Sequence, residues 1–143
     1  MRRLILAATL LVGLTACATS QEGQTGLGAS VDRQLMGLSQ TDGAQLEAAV
    51  EEAEAHPLGS AENPVRTAQP SGQRAYLSRL RCADGSTPAY QRIGSFGFGP
   101  YGNIVDGYEV RCPDADPKTV VMDMYHPGHV EERAVAGFTI TPS

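Results

Sequence analysis

The chain is predicted to fold as an α+β domain, a small antiparallel sheet of three to five strands with one helix packed on it, preceded by a flexible tether and a spacer helix. Three observations carry this. All nine prolines and all the Phe and Tyr residues lie at or after Pro57, which places the folded unit in residues 58–143. Within that unit, residues 89–95, 103–112 and 118–125 have strand-like composition, and the prolines at 113 and 117 mark a turn between the last two. Before them, Tyr76, Leu77 and Leu80 fall on helical spacing in residues 71–81.

Residues 1–16 read as an export signal, with Arg2 and Arg3 as its positive start, an apolar run over 4–14 and small residues ahead of Cys17. A spanning helix needs about 17–25 apolar residues, so this run is too short to cross a bilayer. The tetrapeptide Leu14-Thr15-Ala16-Cys17 resembles the lipobox of bacterial lipoproteins. That resemblance covers the signal alone and implies that Cys17 is diacylglyceryl-modified, becomes the first residue after cleavage and gains a further fatty acyl chain, such as palmitate, on its amino group. An ordinary signal peptide with a cysteine nearby is the competing reading. Several acyl chains make a stable anchor, since each buried methylene contributes about 0.8 kcal/mol and one chain is marginal. Ala18, where an inner-membrane lipoprotein would carry Asp, points to the outer membrane and to a domain facing the periplasm.

Residues 17–41 are mostly Ser, Thr, Gln, Gly and Ala, too little apolar surface to offset chain entropy, and are expected to form a lipid-anchored tether. As a flexible coil it would average about 25–30 Å end to end. In residues 42–57, Leu46, Ala49, Val50 and Ala53 lie on one helical face, Asp42 is a good N-cap with Gln45 three residues on, and Pro57 stops the helix. Its stripe is small and rich in alanine, which favours a solvated spacer over a helix docked on the domain or a partner. Residues 18–55 hold seven acids and one Arg, whereas residues 56–143 are nearly balanced, so the acidity belongs to the tether.

Inside residues 58–143 the first helix is expected over 71–81 with Ser71 as its cap, although 75–77 could also begin a strand. Residues 103–112 alternate imperfectly, and 119–125 set Val120, Met122 and Met124 against Val121, Asp123 and Tyr125. These two runs should pair as an antiparallel hairpin. A unit this small is marginal without a staple. With Cys17 taken by lipid, Cys82 and Cys112 are an even pair in an oxidising compartment and are expected to form a disulfide, worth roughly 3–4 kcal/mol for the loop they close. Free thiols or a redox pair are the alternatives, and the spacing is not C-x-x-C.

A formal charge of −5, with no basic cluster beyond Arg2 and Arg3, argues against nucleic acid as a partner. Residues 97–102 match G-x-G-x-x-G, yet Pro100 lies inside and a strand follows, so no nucleotide is assigned. The glycines of 94–102 mark a turn that carries Phe96, Phe98 and Tyr101, which either face a ligand or fold back on the core. Asp123, His126 and His129 are the sharpest polar cluster. A carboxylate beside imidazoles suits zinc, copper or general-base chemistry, but two histidines in a Pro-Gly turn are also common surface decoration and no nucleophile accompanies them. No cofactor or metal is assigned.

Residues 94–104 and 122–126, together with Asn63-Pro64-Val65-Arg66, are similar to a small uncharacterised domain of bacterial exported proteins, over about residues 58–140. That resemblance implies no activity. The expected function is therefore a lipid-anchored envelope protein whose domain binds or supports another envelope component. The alternative is a small periplasmic enzyme or metal-binding protein using Asp123, His126 and His129. The candidate binding surface joins Phe96, Phe98, Tyr101, Asp123, His126 and His129.

Overall fold

The computed structural model describes residues 43–143. The export signal, Cys17, the tether and the Asp42 cap lie outside the described residues. The elements run α1 (Gly43–Ala53), β1 (Val65–Arg66), α2 (Gln69–Arg79), β2 (Leu80–Arg81), β3 (Ala89–Phe98), β4 (Ile104–Arg111), β5 (Lys118–Asp123) and β6 (Thr139–Ile140). The α+β class holds, but the main sheet is mixed rather than antiparallel. Its order is β1-β5-β4-β3, with β3, β4 and β5 antiparallel and β1 parallel to β5. Strands β2 and β6 form a separate antiparallel pair.

The hairpin read from residues 113–117 is present as β4 and β5, with Tyr108 opposite Val120 and Asp106 opposite Met122. Because side chains alternate across a strand, this register puts Val65, Asp106, Tyr108, Val110, Val120 and Met122 on one face. On that face they meet Tyr76, Leu77 and Leu80 from α2 and Val135 from the C-terminal segment, forming the core. Asp106 is held there by Gln73 Nε2 at 3.2 Å and by Arg92 at 2.7 Å, and the Tyr108 hydroxyl donates to Gln73 Oε1 at 2.9 Å. The buried carboxylate therefore has partners from both α2 and β3, as burial of a charge requires.

Helix α2 begins two residues before the expected Ser71 cap. Ala68 is its N-cap with no side-chain hydrogen bond, and Pro70 occupies the first turn, where a missing N–H costs nothing. The start is set from outside the helix: Gln69 N–H donates to Met124 O at 2.7 Å, and Ala68 bridges Tyr125. At the other end, the Tyr76 hydroxyl donates to Arg133 O at 3.0 Å and accepts from Val135 N–H at 3.1 Å. Burial pushes that phenol above the ordinary tyrosine range. The C-terminal segment is thereby clamped to the helix.

Where the sequence favours a solvated spacer, the C-terminal end of α1 is seated on the domain. Ala53 is buried, and Glu54 just beyond it receives both Arg133 Nη1 contacts, at 2.8 and 2.7 Å. Cys82 and Cys112 are joined as a disulfide with a Cα separation of 5.8 Å. Among the described residues no helix is long and apolar enough to cross a membrane.

Candidate functional site

The sheet face away from α2 carries the residues that alternate with the core: Arg66 on β1, Val105 and Gly107 on β4, and Val121 and Asp123 on β5. Parallel pairing sets Arg66 directly beside Asp123. Strand β5 ends at Asp123 because its own Oδ1 accepts Tyr125 N–H at 2.9 Å, a local turn that bends the chain off the sheet. The backbone then curls along residues 67–69, with His126 N–H donating to Thr67 O at 3.1 Å. Pro127 and Gly128 make the next turn, closed by His129 N–H to His126 O at 3.1 Å, with Gly128 at φ 77°. His126 and His129 thus stand at the two ends of one tight turn, their ring centroids 6.5 Å apart.

The second wall comes from the connection between β3 and β4. Strand β3 runs on to Phe98, further than the expected 95, and the chain reverses over 99–103, where Gly102 takes φ 78° and its N–H donates to Gly99 O. Gly102 leads into a strand rather than a helix, so the helix N-terminus that the dinucleotide fingerprint needs is not there. This turn folds Tyr101 inward, edge-on to His126 with centroids 5.3 Å apart. The Tyr101 hydroxyl donates to Asn63 Oδ1 at 3.2 Å, and burial pushes its pKa up to about 12. Arg66 packs its guanidinium over the same ring, 5.9 Å from the centroid.

Asp123, wholly buried, is the floor beneath these groups. Its Oδ2 accepts Asn103 Nδ2–H at 3.0 Å and lies 3.2 Å from His126 Nε2. The Nε2 contact does not have hydrogen-bond geometry and leaves that nitrogen without a hydrogen-bond partner. Asn103 Oδ1 and His129 Nε2 are likewise buried and unpartnered. Asn103, His126 and His129 all line one cavity of about 380 Å³, together with Arg66, Tyr101 and Tyr125. Leu46 of α1 closes one side and the exposed Pro127 another.

The structure therefore brings Tyr101, Asp123, His126 and His129 together and separates the two phenylalanines from them. Phe98 is 70% exposed and lines a different concavity of about 480 Å³, with His56 and Pro100. Phe96, also exposed, lies over Gly107, where a Cβ would come within 2.4 Å of its ring. Extension of β3 explains both, because residues on an edge strand cannot fold back into the turn. Sequence reasoning gave no site role to Arg66, Asn103 or Leu46, and reached Tyr125 only as the start of the histidine turn. Arg66, Asn103 and Tyr125 did lie within the runs 63–66, 94–104 and 122–126 that carried the resemblance, whereas Leu46 had no signal.

His129 is drawn toward Glu131 rather than Asp123, with Nε2 3.7 Å from Glu131 Oε2. Asp123, His126 and His129 consequently do not form one ligand set, and among the described residues no group of three or more His, Cys, Asp or Glu is placed to hold a metal. Glu131, 5% exposed, also accepts Arg133 Nε–H at 2.9 Å and Arg133 N–H at 3.0 Å. Burial alone would raise its carboxyl, but the His129 imidazole close by and the hydrogen bonds from Arg133 outweigh it and hold Glu131 well below the usual carboxylate range. A lowered folded-state pKa stabilises the fold above the unfolded value of 4.5 and is lost as pH falls below it. Denaturation between pH 7 and pH 2 should therefore show stability falling below about pH 4.5 in the parent. Glu131→Gln should be about 1–3 kcal/mol less stable at pH 7, with a shallower acid limb. Parallel acid limbs in the two proteins would remove Glu131 as the source.

No family model, curated protein or solved structure matches this chain.

Proposed function

We propose that the protein is a lipid-anchored envelope binding module, held to the outer membrane through Cys17 and facing the periplasm, whose cavity receives a small polar ligand in the service of another envelope component. The observation that carries the binding reading is the set of unpartnered polar atoms on the cavity wall. Asn103 and His126 are 4% and 6% exposed, yet Asn103 Oδ1 and His126 Nε2 have no hydrogen-bond partner in the protein. An unsatisfied buried polar atom costs about 1–3 kcal/mol, and a polar ligand entering the cavity would recover that cost. The volume suits a small molecule, the walls mix aromatic and polar groups, and the site sits where two turns meet at the end of a rigid sheet. The lipobox-like signal and the low-complexity tether support the placement, since they would let such a site stand off the membrane surface.

The test is thermal melting of the full chain in detergent, with and without the low-molecular-weight fraction of the cell envelope. Ligand binding should raise the parent's melting temperature by roughly 5 °C or more. Leu46→Trp, which fills the cavity from α1, should melt near the parent without extract and gain nothing from it. No shift in the parent, or an equal shift in both proteins, would overturn the binding reading.

A further inference from the structure

Two chemically different groups line the cavity, and the parallel register brings them close together. The first is Arg66, which presents its guanidinium along the Tyr101 ring and pairs with no carboxylate among the described residues. A half-buried, unpaired guanidinium asks for an anion, and its planar fork fits the two oxygens of a carboxylate. The second is Asn103, which donates Nδ2–H to Asp123 Oδ2. The reversed amide would set its oxygen against the carboxylate, so its orientation is fixed and Oδ1 is left as a buried acceptor. Behind that acceptor, Asp123 is fully buried, and its hydrogen-bond donors are the neutral groups Asn103 Nδ2 and Tyr125 N–H. The nearest imidazole, His126, touches it without a hydrogen bond. Asn103 Oδ1 therefore favours a ligand carrying N–H donors and positive charge.

We infer that the cavity binds a small zwitterion of the α-amino acid type, with Arg66 taking the carboxylate and Asn103 Oδ1, backed by the Asp123 charge, taking the ammonium. This deepens the binding reading above and rests on it. A phosphate-like dianion fits less well, because one guanidinium would face two charges with a buried carboxylate beneath. Leu46, Tyr101 and Pro127 leave an apolar wall for a short side chain.

Isothermal titration of the full chain in detergent with L-alanine, D-alanine, propionate and ethylamine separates the ligand's two ends. Alanine of at least one hand should bind about tenfold or more tighter than propionate or ethylamine, each of which keeps only one charged end. Arg66→Gln should weaken alanine by about tenfold or more and leave ethylamine unchanged, with Arg66→Lys between the two. Circular dichroism of each variant checks that the fold is retained. Propionate or ethylamine binding as tightly as alanine would overturn the zwitterion, as would no measurable binding of alanine or binding indifferent to Arg66→Gln. If alanine fails while the envelope fraction still raises the parent's melting temperature and not that of Leu46→Trp, the ligand class falls and the binding reading stands. If the envelope fraction also fails, both fall.

Discussion

Replacing Cys82 and Cys112 together with alanine should lower the melting temperature of the domain by roughly 15–25 °C. The two residues are 30 apart in sequence and 5.8 Å apart at Cα. Closing a loop of that length restricts the unfolded chain by about 3–4 kcal/mol on the chain-entropy argument. For a domain of roughly a hundred residues, each kcal/mol moves the midpoint by about 4–8 °C. The position of the bond makes the loss hard to absorb. Cys82 follows β2 and Cys112 follows β4, so the bond ties the β2–β6 pair to the main sheet. Without it, that junction rests on Leu80, buried in the core, and on the half-buried Ile140 packed against the core. Calorimetry of the parent with and without reductant, beside the double variant, checks the expectation: reduced parent and variant should melt together, well below the oxidised parent. A variant melting within a few degrees of the oxidised parent would show that the core alone sustains the fold.

Cys17→Ala should move the protein from the membrane fraction to the soluble periplasmic fraction almost completely. On the proposed lipid anchor, losing the acyl chains would remove about 0.8 kcal/mol for every methylene they bury, and the sequence after Cys17 has no apolar segment of spanning length to replace them. Fractionation of cells expressing parent and variant, with labelled palmitate in the medium, reads both consequences. The parent should carry label and sediment with the outer membrane, and the variant should do neither. Membrane retention of Cys17→Ala, with an unlabelled parent, would end the lipoprotein assignment. The domain itself should be indifferent to the change, so equal melting temperatures for the two proteins would separate loss of the anchor from loss of the fold.

Local chemistry made much of the fold legible. The β4–β5 hairpin follows from two apolar runs separated by a proline-bounded turn, and the disulfide from an even cysteine pair in a small domain. The existence of α2 followed from the spacing of Tyr76, Leu77 and Leu80, but its first turn did not, because Gln69 is placed by a bond to Met124 across the molecule. Strands β1, β2 and β6 have two residues each and no period to read. They exist because a distant partner supplies their hydrogen bonds, and the parallel pairing of β1 with β5 turned an expected antiparallel sheet into a mixed one.

The candidate site divides along the same line. Sequence alone could nominate Asp123, His126 and His129, since they lie within one turn of chain and their side chains are chemically distinctive. It could also nominate Phe96, Phe98 and Tyr101 as a group, but not tell which of them faces inward. That was decided by where β3 stops: the strand carries both phenylalanines to the exposed edge, and the turn after it folds Tyr101 onto His126. Arg66 and Asn103 lay in runs that carried a resemblance but no role, and the sheet gave them one, Arg66 by its register beside Asp123 and Asn103 by its bond to that carboxylate. Residue type and short-range spacing determine turns, helix faces and a cysteine pair, because those depend on contacts a few positions apart. A cavity wall is assembled from residues up to 83 positions apart, Leu46 to His129, and its geometry comes from packing that no local pattern encodes.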